Sequence, residues 1–330
     1  MSLRPMSAKD VQTCVALLAA HPTERHRYGR LLKYLPAAWK NLLRSESMIT
    51  SVLEDTETTA SHPQAFGVSA FVTDEFLKQC RTPHPVWIGT ELVRRISRGD
   101  SPVLTPKEIR DANSRDGLNL VTWTGLVCPL REEDRTRWVT ELTSAFMQEH
   151  RGFKLKEAVT QPIEVGVLRV VLNSGALLWQ SAEGCYVEAG DVNLNKLIRS
   201  PFILGINREL VTLHMGTWAS TLFLYNPPRI YFRPAEQRLL RSALKGATDE
   251  ELSNELRVSL SFIKKTWHSI YERAADTVPD LHLNRTDGNV NQRGKEKKQR
   301  VLAYVRNYPE ELRPISHSTL VELQAGLRSA

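Results

Sequence analysis

Cysteines, glycine-rich signatures and long apolar runs are all scarce in this chain, and each scarcity removes a class of protein. Only four cysteines occur in 330 residues. Cys14, Cys80, Cys128 and Cys185 lie dozens of residues apart, which fits neither a disulfide framework nor the close ligand pairs of a zinc ribbon. They read as reduced thiols of a cytoplasmic protein. No apolar run approaches the roughly 18 residues of a membrane span, and Met1-Ser2-Leu3-Arg4-Pro5 is not followed by a signal-peptide core, so neither membrane insertion nor export is expected. No P-loop or dinucleotide fingerprint occurs, and the histidines at 21, 26, 62, 84, 150 and 214 have no metal-ligand spacing. No internal repeat is evident. Neither sign of charge dominates: 44 basic against 37 acidic residues leave +7, an excess that permits a polyanionic partner without demanding one. What the chain does have is length and a 41% hydrophobic fraction, enough to bury a core, which excludes disordered, collagen-like and small stapled folds.

The clearest boundary is Tyr225-Asn226-Pro227-Pro228-Arg229. Paired prolines stop any regular element and remove two backbone donors, which places a cut near residue 230. Before it, strand-like runs at Met48 to Leu53, Ala65 to Val72, Gly117 to Val127 and Val165 to Leu172 alternate with helix-like stretches at Asp10 to Ala20 and Glu132 to His150, so residues 1–230 read as an α+β (mixed α/β) domain. Residues 231–330 read as all-α. Within them, 284–294 has almost nothing to bury and is expected to be a flexible loop, with a helix resuming from Lys295 to about Arg306 and stopping before Pro309.

Three short amphipathic helices open the second part. Pro234 suits a first helical turn, and Leu239, Leu240, Ala243 and Leu244 make an apolar stripe that ends at Lys245-Gly246. Thr248 followed by Glu251 is a capping box for the next helix, which packs Leu252 and Leu256. After Arg257-Val258, Ser259 or Ser261 caps a third helix whose Ile263, Trp267 and Ile270 share one face. The other face carries Phe262, Lys264, Lys265, Thr266, His268 and Ser269. Cations and hydrogen-bonding groups are thus concentrated where the second helix of a helix-turn-helix meets the major groove. Lys264 and Lys265 suit phosphates or guanine acceptors, and Thr266 a base edge or thymine methyl. Over residues 231–330 we count 17 lysines and arginines against 13 acids, a net of +4. Any three-helix bundle also has an apolar face opposite solvated lysines, so a protein-docking adaptor stays open on periodicity alone. The run Arg293-Gly294-Lys295-Glu296-Lys297-Lys298-Gln299-Arg300 is either a second phosphate-contacting patch or an ordinary solvated helix start.

From Pro234 to Arg273 the sequence resembles, without a gap, the carboxy-terminal helix-turn-helix of LuxR-type bacterial transcription regulators. The matching positions are Pro234, Glu236, Gly246, Glu251, Leu252, Ser261, Ile263, Lys264, Ile270 and Tyr271. Phe262 stands where the family usually has threonine, and Thr266 where it often has histidine. The resemblance implies a dimeric, sequence-specific reader of double-stranded DNA with its recognition helix at about 261–273. Its DNA-contacting residues would be Thr248, Ser259, Ser261, Phe262, Lys264, Lys265, Thr266 and His268, and a fourth helix would contribute to pairing.

In the first part, Leu3-Arg4-Pro5-Met6 before a helix at Asp10, then Ser51 to Asp55 and Phe66 to Val72, resemble the opening β-α-β-β of GNAT-type N-acyltransferases, as does His150-Arg151-Gly152-Phe153 after a long helix. Cofactor binding needs a glycine-rich turn opening a helix, whose amides and dipole hold the pyrophosphate. Ile88-Gly89-Thr90-Glu91-Leu92-Val93 is the nearest candidate, and Trp87 ahead of it would obstruct the phosphates. No cofactor, metal or catalytic residue is therefore expected, and Glu54-Asp55 reads as a strand-end surface pair. Trp123, Trp138, Trp179 and Trp218 belong to a core, an interface or a ligand cavity. The reading that results is a cytoplasmic bacterial transcription regulator and homodimer, not an enzyme, whose degenerate acyltransferase-like domain serves dimerisation, partner contact or the sensing of a small-molecule effector. The alternative is an acyl-CoA-dependent N-acyltransferase with an appended DNA- or protein-binding helical domain.

Overall fold

The computed structural model describes residues 2–316 apart from 56–62, 82–83, 129–131, 176, 182–183, 186–192, 214, 245, 282 and 284–289. The chain divides into two compact units. The first comprises residues 1–150 and 154–223, and the second runs from Leu224 onward and includes Arg151–Phe153.

The first unit is mixed α/β. In chain order it comprises β1 (Ser2–Arg4), α1 (Asp10–Ala20), α2 (Pro22–Tyr28), α3 (Leu35–Arg44), β2 (Met48–Glu54), β3 (Pro63–Val72), α4 (Asp74–Arg81), α5 (Ile88–Ser97), α6 (Pro106–Ser114) and β4 (Leu118–Val127). There follow α7 (Glu132–His150), β5 (Leu155–Thr160), α8 (Val165–Asn173), β6 (Leu177–Ser181), β7 (Gly184–Cys185), α9 (Leu194–Leu197), β8 (Phe202–Asn207) and α10 (Arg208–Leu213). The strands form one sheet in the order β1-β2-β3-β4-β5-β8-β6-β7. All neighbours are antiparallel except β4 and β5, whose parallel pairing requires the crossover through α7.

Both faces of this sheet are covered, so its strands read as near-continuous apolar runs. Phe66, Val68, Ala70 and Val72 of β3 join the larger core with Val11, Leu18, Trp39, Leu92 and Trp123. Ala65 on the same strand joins Leu53, Val127 and Trp138, as the two-residue side-chain period demands. Pairing of β4 with β5 stops at Thr122 opposite Thr160, whereas β4 continues to Val127.

The segment from Val165 to Leu172 corrects the sequence reading. Its valines suggest a strand, yet it folds as α8, with Leu168 fully buried and Val171 and Leu172 packed beside Leu197, Phe202 and Leu204. A β preference worth about 1 kcal/mol or less yields to one-sided packing of this kind. Glu54 is also not a surface residue: it is 9% exposed and paired with Arg4 at the end of β2.

The second unit contains α11 (Pro234–Ala243), α12 (Asp249–Leu256), α13 (Leu260–Thr277) and α14 (Val290–Asn307). Ile230, Phe232, Leu239, Leu240, Leu252, Ile263, Trp267, Ile270, Val301 and Val305 build its core. The helix α14 begins at Val290, so residues 290–294 are not loop as the sequence suggested, while 284–289 lie outside the described residues. The first helix ends as expected, with Gly246 at φ +90° and its N–H bonded to the Ala243 carbonyl at 3.0 Å.

Arg313 holds Arg151–Phe153 in this unit: its Nε donates to the Arg151 carbonyl at 2.8 Å and its guanidinium lies 4.6 Å from the Phe153 ring centre. Between them Gly152 has φ +83°, and a Cβ there would stand 2.5 Å from the Glu310 amide nitrogen. Gly152→Val is expected to cost roughly 1–3 kcal/mol from the left-handed backbone alone, with the overlap on Glu310 adding to it. A urea midpoint unchanged from wild type would contradict this.

Candidate functional site

The helix-turn-helix is positioned by its caps. The Arg233 N–H donates to Glu236 Oε2 at 2.7 Å, closing the first turn of α11. Glu236 is 3% exposed. It also accepts from Ser269 Oγ at 2.8 Å and pairs with Arg273 Nε at 3.3 Å, which fastens α11 to α13. At α12, Thr248 N–H donates to Glu251 Oε2 at 2.7 Å while the Glu251 N–H donates to Thr248 Oγ1 at 3.2 Å, the reciprocal box read from the sequence. The box holds the Glu251 carboxyl below its usual range. Arg257 then turns the chain in the left-handed region, φ +55°, where the Val258 N–H bonds the Ser253 carbonyl and Ser253 Oγ donates to the Val258 carbonyl. Ser259 rather than Ser261 caps α13, its Oγ accepting from the Phe262 N–H at 3.2 Å.

This frame fixes the orientation of α13. Ile263, Trp267, Ile270 and Ala274 are buried, and Ser261, Phe262, Lys264, Lys265 and His268 are exposed on the other side. Phe262 leaves 45% of its surface in solvent, which is unusual for an isolated phenyl ring. Lys264 and Lys265 make no ion pair among the described residues, and His268 lies 3.2 Å from Glu272. Thr248 and Ser259 are exposed as well, with their side-chain oxygens engaged in the caps.

Thr266 is the correction. It is buried at 8% exposure and its Oγ1 donates to the Phe262 carbonyl at 2.8 Å, so it does not present a free hydroxyl to a base. The sequence carried the signal: 263, 266, 267, 270 and 274 all fall on one helical stripe.

Two cations of the basic run on α14 are engaged within their own unit, and the side chains of Arg293 and Lys295 lie outside the described residues. Lys298 Nζ bonds Asp249 Oδ1 at 3.0 Å and lies 5.1 Å from the Trp267 ring centre, and Trp267 Nε1 donates to the same Asp249 oxygen at 3.3 Å. Arg300 pairs with Glu296 and donates to the Leu281 carbonyl. Val301, Leu302, Tyr304 and Val305 are buried in the core of the same chain. The apolar side of the fourth helix thus packs within its own unit.

In the first unit Gly89 sits inside the first turn of α5, where a Cβ would lie 2.4 Å from the Tyr28 hydroxyl and 3.0 Å from Trp123. The Ile88 N–H donates to Gln161 Oε1 at 2.7 Å. The glycine thus serves close packing, and one of the amides a phosphate would need is taken. Burial pushes the Cys14 and Cys80 thiols up to about 12, far from the thiolate that nucleophilic chemistry needs. No group of three or more histidines, cysteines or acids is placed to hold a metal, and no helix is long and apolar enough to cross a membrane, among the described residues.

No protein-family model and no curated protein matches the chain. Among solved structures, an uncharacterized protein from Bacillus halodurans matches over 67% of this chain and 91% of its own, at 11% identity and a TM-score of 0.33.

Proposed function

We propose that this protein is a sequence-specific DNA-binding regulator of transcription that inserts α13 into the major groove. One observation carries the reading: a helix entered through a capped turn buries Ile263, Trp267 and Ile270 and leaves Lys264, Lys265, Ser261 and His268 exposed on the opposite side. Groove contact requires that division, since cations must reach phosphates and polar tips must reach base edges without unmaking the core. The first unit then serves dimerisation or sensing on an acyltransferase-like frame, a reading supported by its β1, α1–α3, β2, β3 opening. Selection of bound fragments from random duplexes by the full chain is expected to enrich a defined motif. Recovery of unenriched sequence would overturn the assignment and favour a protein-docking adaptor.

A second reading, an acyl-CoA-dependent transferase, draws on the end of β4–β5 pairing beside an internal cavity. Against it, α7 opens from Cys128-Pro129-Leu130-Arg131 without a glycine. Calorimetry with acetyl-CoA separates the two, a one-site isotherm favouring the transferase.

A further inference from the structure

Within the first unit a cavity of about 200 Å³ lies where β4 runs on past its last pair with β5. Its walls are mainly apolar, with Val68, Trp123, Leu142, Ile163 and Trp218 among them. Cavities of ~150 Å³ hold benzene, so this one has room for a ligand of about six to eight heavy atoms.

Several polar groups on its wall are satisfied. Ser69 Oγ donates to His150 Nε2 at 2.7 Å, and His150 Nδ1 donates to the Phe146 carbonyl at 2.7 Å. Arg135 and Glu164 pair with each other. The hydroxyl of Thr124 is buried without a hydrogen-bond partner, and the Glu24 carboxylate on the same wall makes one ion pair, with Arg27, and no hydrogen bond among the described residues. Glu24 is 3% exposed and stands on α2. Arg27 Nη1 is 3.9 Å from Glu24 Oε1, but Nη1 and Nη2 donate instead to the carbonyls of Gln161 at 2.9 Å and Pro162 at 3.1 Å, and its buried Nε has no hydrogen-bond partner. Once ionised, above about pH 7, a buried carboxylate with no hydrogen-bond donor on an apolar wall costs free energy that a bound donor would recover.

We propose that this cavity is a binding site for a small apolar ammonium ion, its hydrocarbon body enclosed by the apolar walls and its charged head donating to Glu24. A neutral alcohol of the same shape fills the same space but lacks the charge, and a carboxylate ligand meets repulsion. The site rests on the cavity alone and does not depend on DNA binding.

The test is calorimetric titration of the full chain at pH 8, where Glu24 is ionised, with cyclohexylammonium, cyclohexanol and cyclohexanecarboxylate. The ammonium is expected to bind with one-site stoichiometry and roughly tenfold or more tighter than the alcohol, with the carboxylate weakest. Glu24→Gln is expected to lose that preference while still binding the alcohol. Equal affinity for ammonium and alcohol in the wild-type protein, or no binding by either, overturns the proposal without reliance on the variant. So does an ammonium affinity untouched by Glu24→Gln.

Discussion

Replacing Lys264 and Lys265 together by alanine is expected to weaken binding to the selected duplex by roughly a hundredfold or more near physiological salt, while leaving the fold intact. Each phosphate contact releases about 0.9 counterion, and a lysine that reaches a base edge adds about 1–3 kcal/mol of discrimination. Both side chains are exposed and hold no partner whose loss would disturb the core. Alanine is moreover a better helix former than lysine. The slope of log affinity against log salt should fall by about 2 if both lysines meet phosphates, and by less if one reads a base. Gel shifts across a salt series measure both quantities, with circular dichroism reporting the fold. Unchanged affinity would remove α13 from the interface.

Glu24→Gln is expected to change how the stability of the first unit depends on pH. Burial pushes the Glu24 carboxyl from its ordinary 4.5 up to about 7, against the downward pull of Arg27. The buried Tyr28 hydroxyl, pushed well up by burial, is neutral across this range. Between about pH 4.5 and 7 the folded chain therefore holds a proton at Glu24 that the unfolded chain has released. Stability is fully present below the lower value and declines as pH rises through the upper one. The loss is on the order of 3 kcal/mol by pH 8. Glutamine cannot ionise, so the variant should lack this decline and should exceed the wild type in urea midpoint at pH 8. At pH 5, where Glu24 is protonated, the two should nearly coincide. Parallel stability profiles from pH 5 to 8 would show that Glu24 is not buried in the way described.

The second unit was legible because its information is local. The Thr248–Glu251 box, the Ser259 cap, the stop at Gly246 and the face through Ile263, Trp267 and Ile270 involve residues within about two turns of one another. Such features form from neighbouring side chains whatever lies farther away. The Thr266 hydroxyl suits a base edge, yet its helical position puts it on the buried stripe with Ile263, Trp267 and Ile270. Among the tryptophans offered as cavity lining, Trp123 and Trp218 do line the cavity and Trp138 is core, while the side chain of Trp179 lies outside the described residues.

The first unit was legible only in class. Its alternating apolar runs announce a sheet with helices, yet nothing in them orders the strands, because each pair joins residues far apart in the chain. The same distance hid the rest. Glu236 reads as an ordinary first-turn acid until Ser269 and Arg273 arrive from a helix about 35 residues later. Glu24 reads as a solvated surface residue in Pro22-Thr23-Glu24-Arg25 until the sheet closes over it. The amino-acid order alone therefore settled where α11 stops and where α12 begins, and the outward side of α13 except at Thr266, since side-chain direction along a helix follows from spacing. Only the tertiary structure decided that α8 is a helix, that Lys298 and Arg300 of α14 are engaged within their own unit and that one carboxylate faces an apolar cavity. Burial, unlike helical phase, is set by whatever distant segment packs on top.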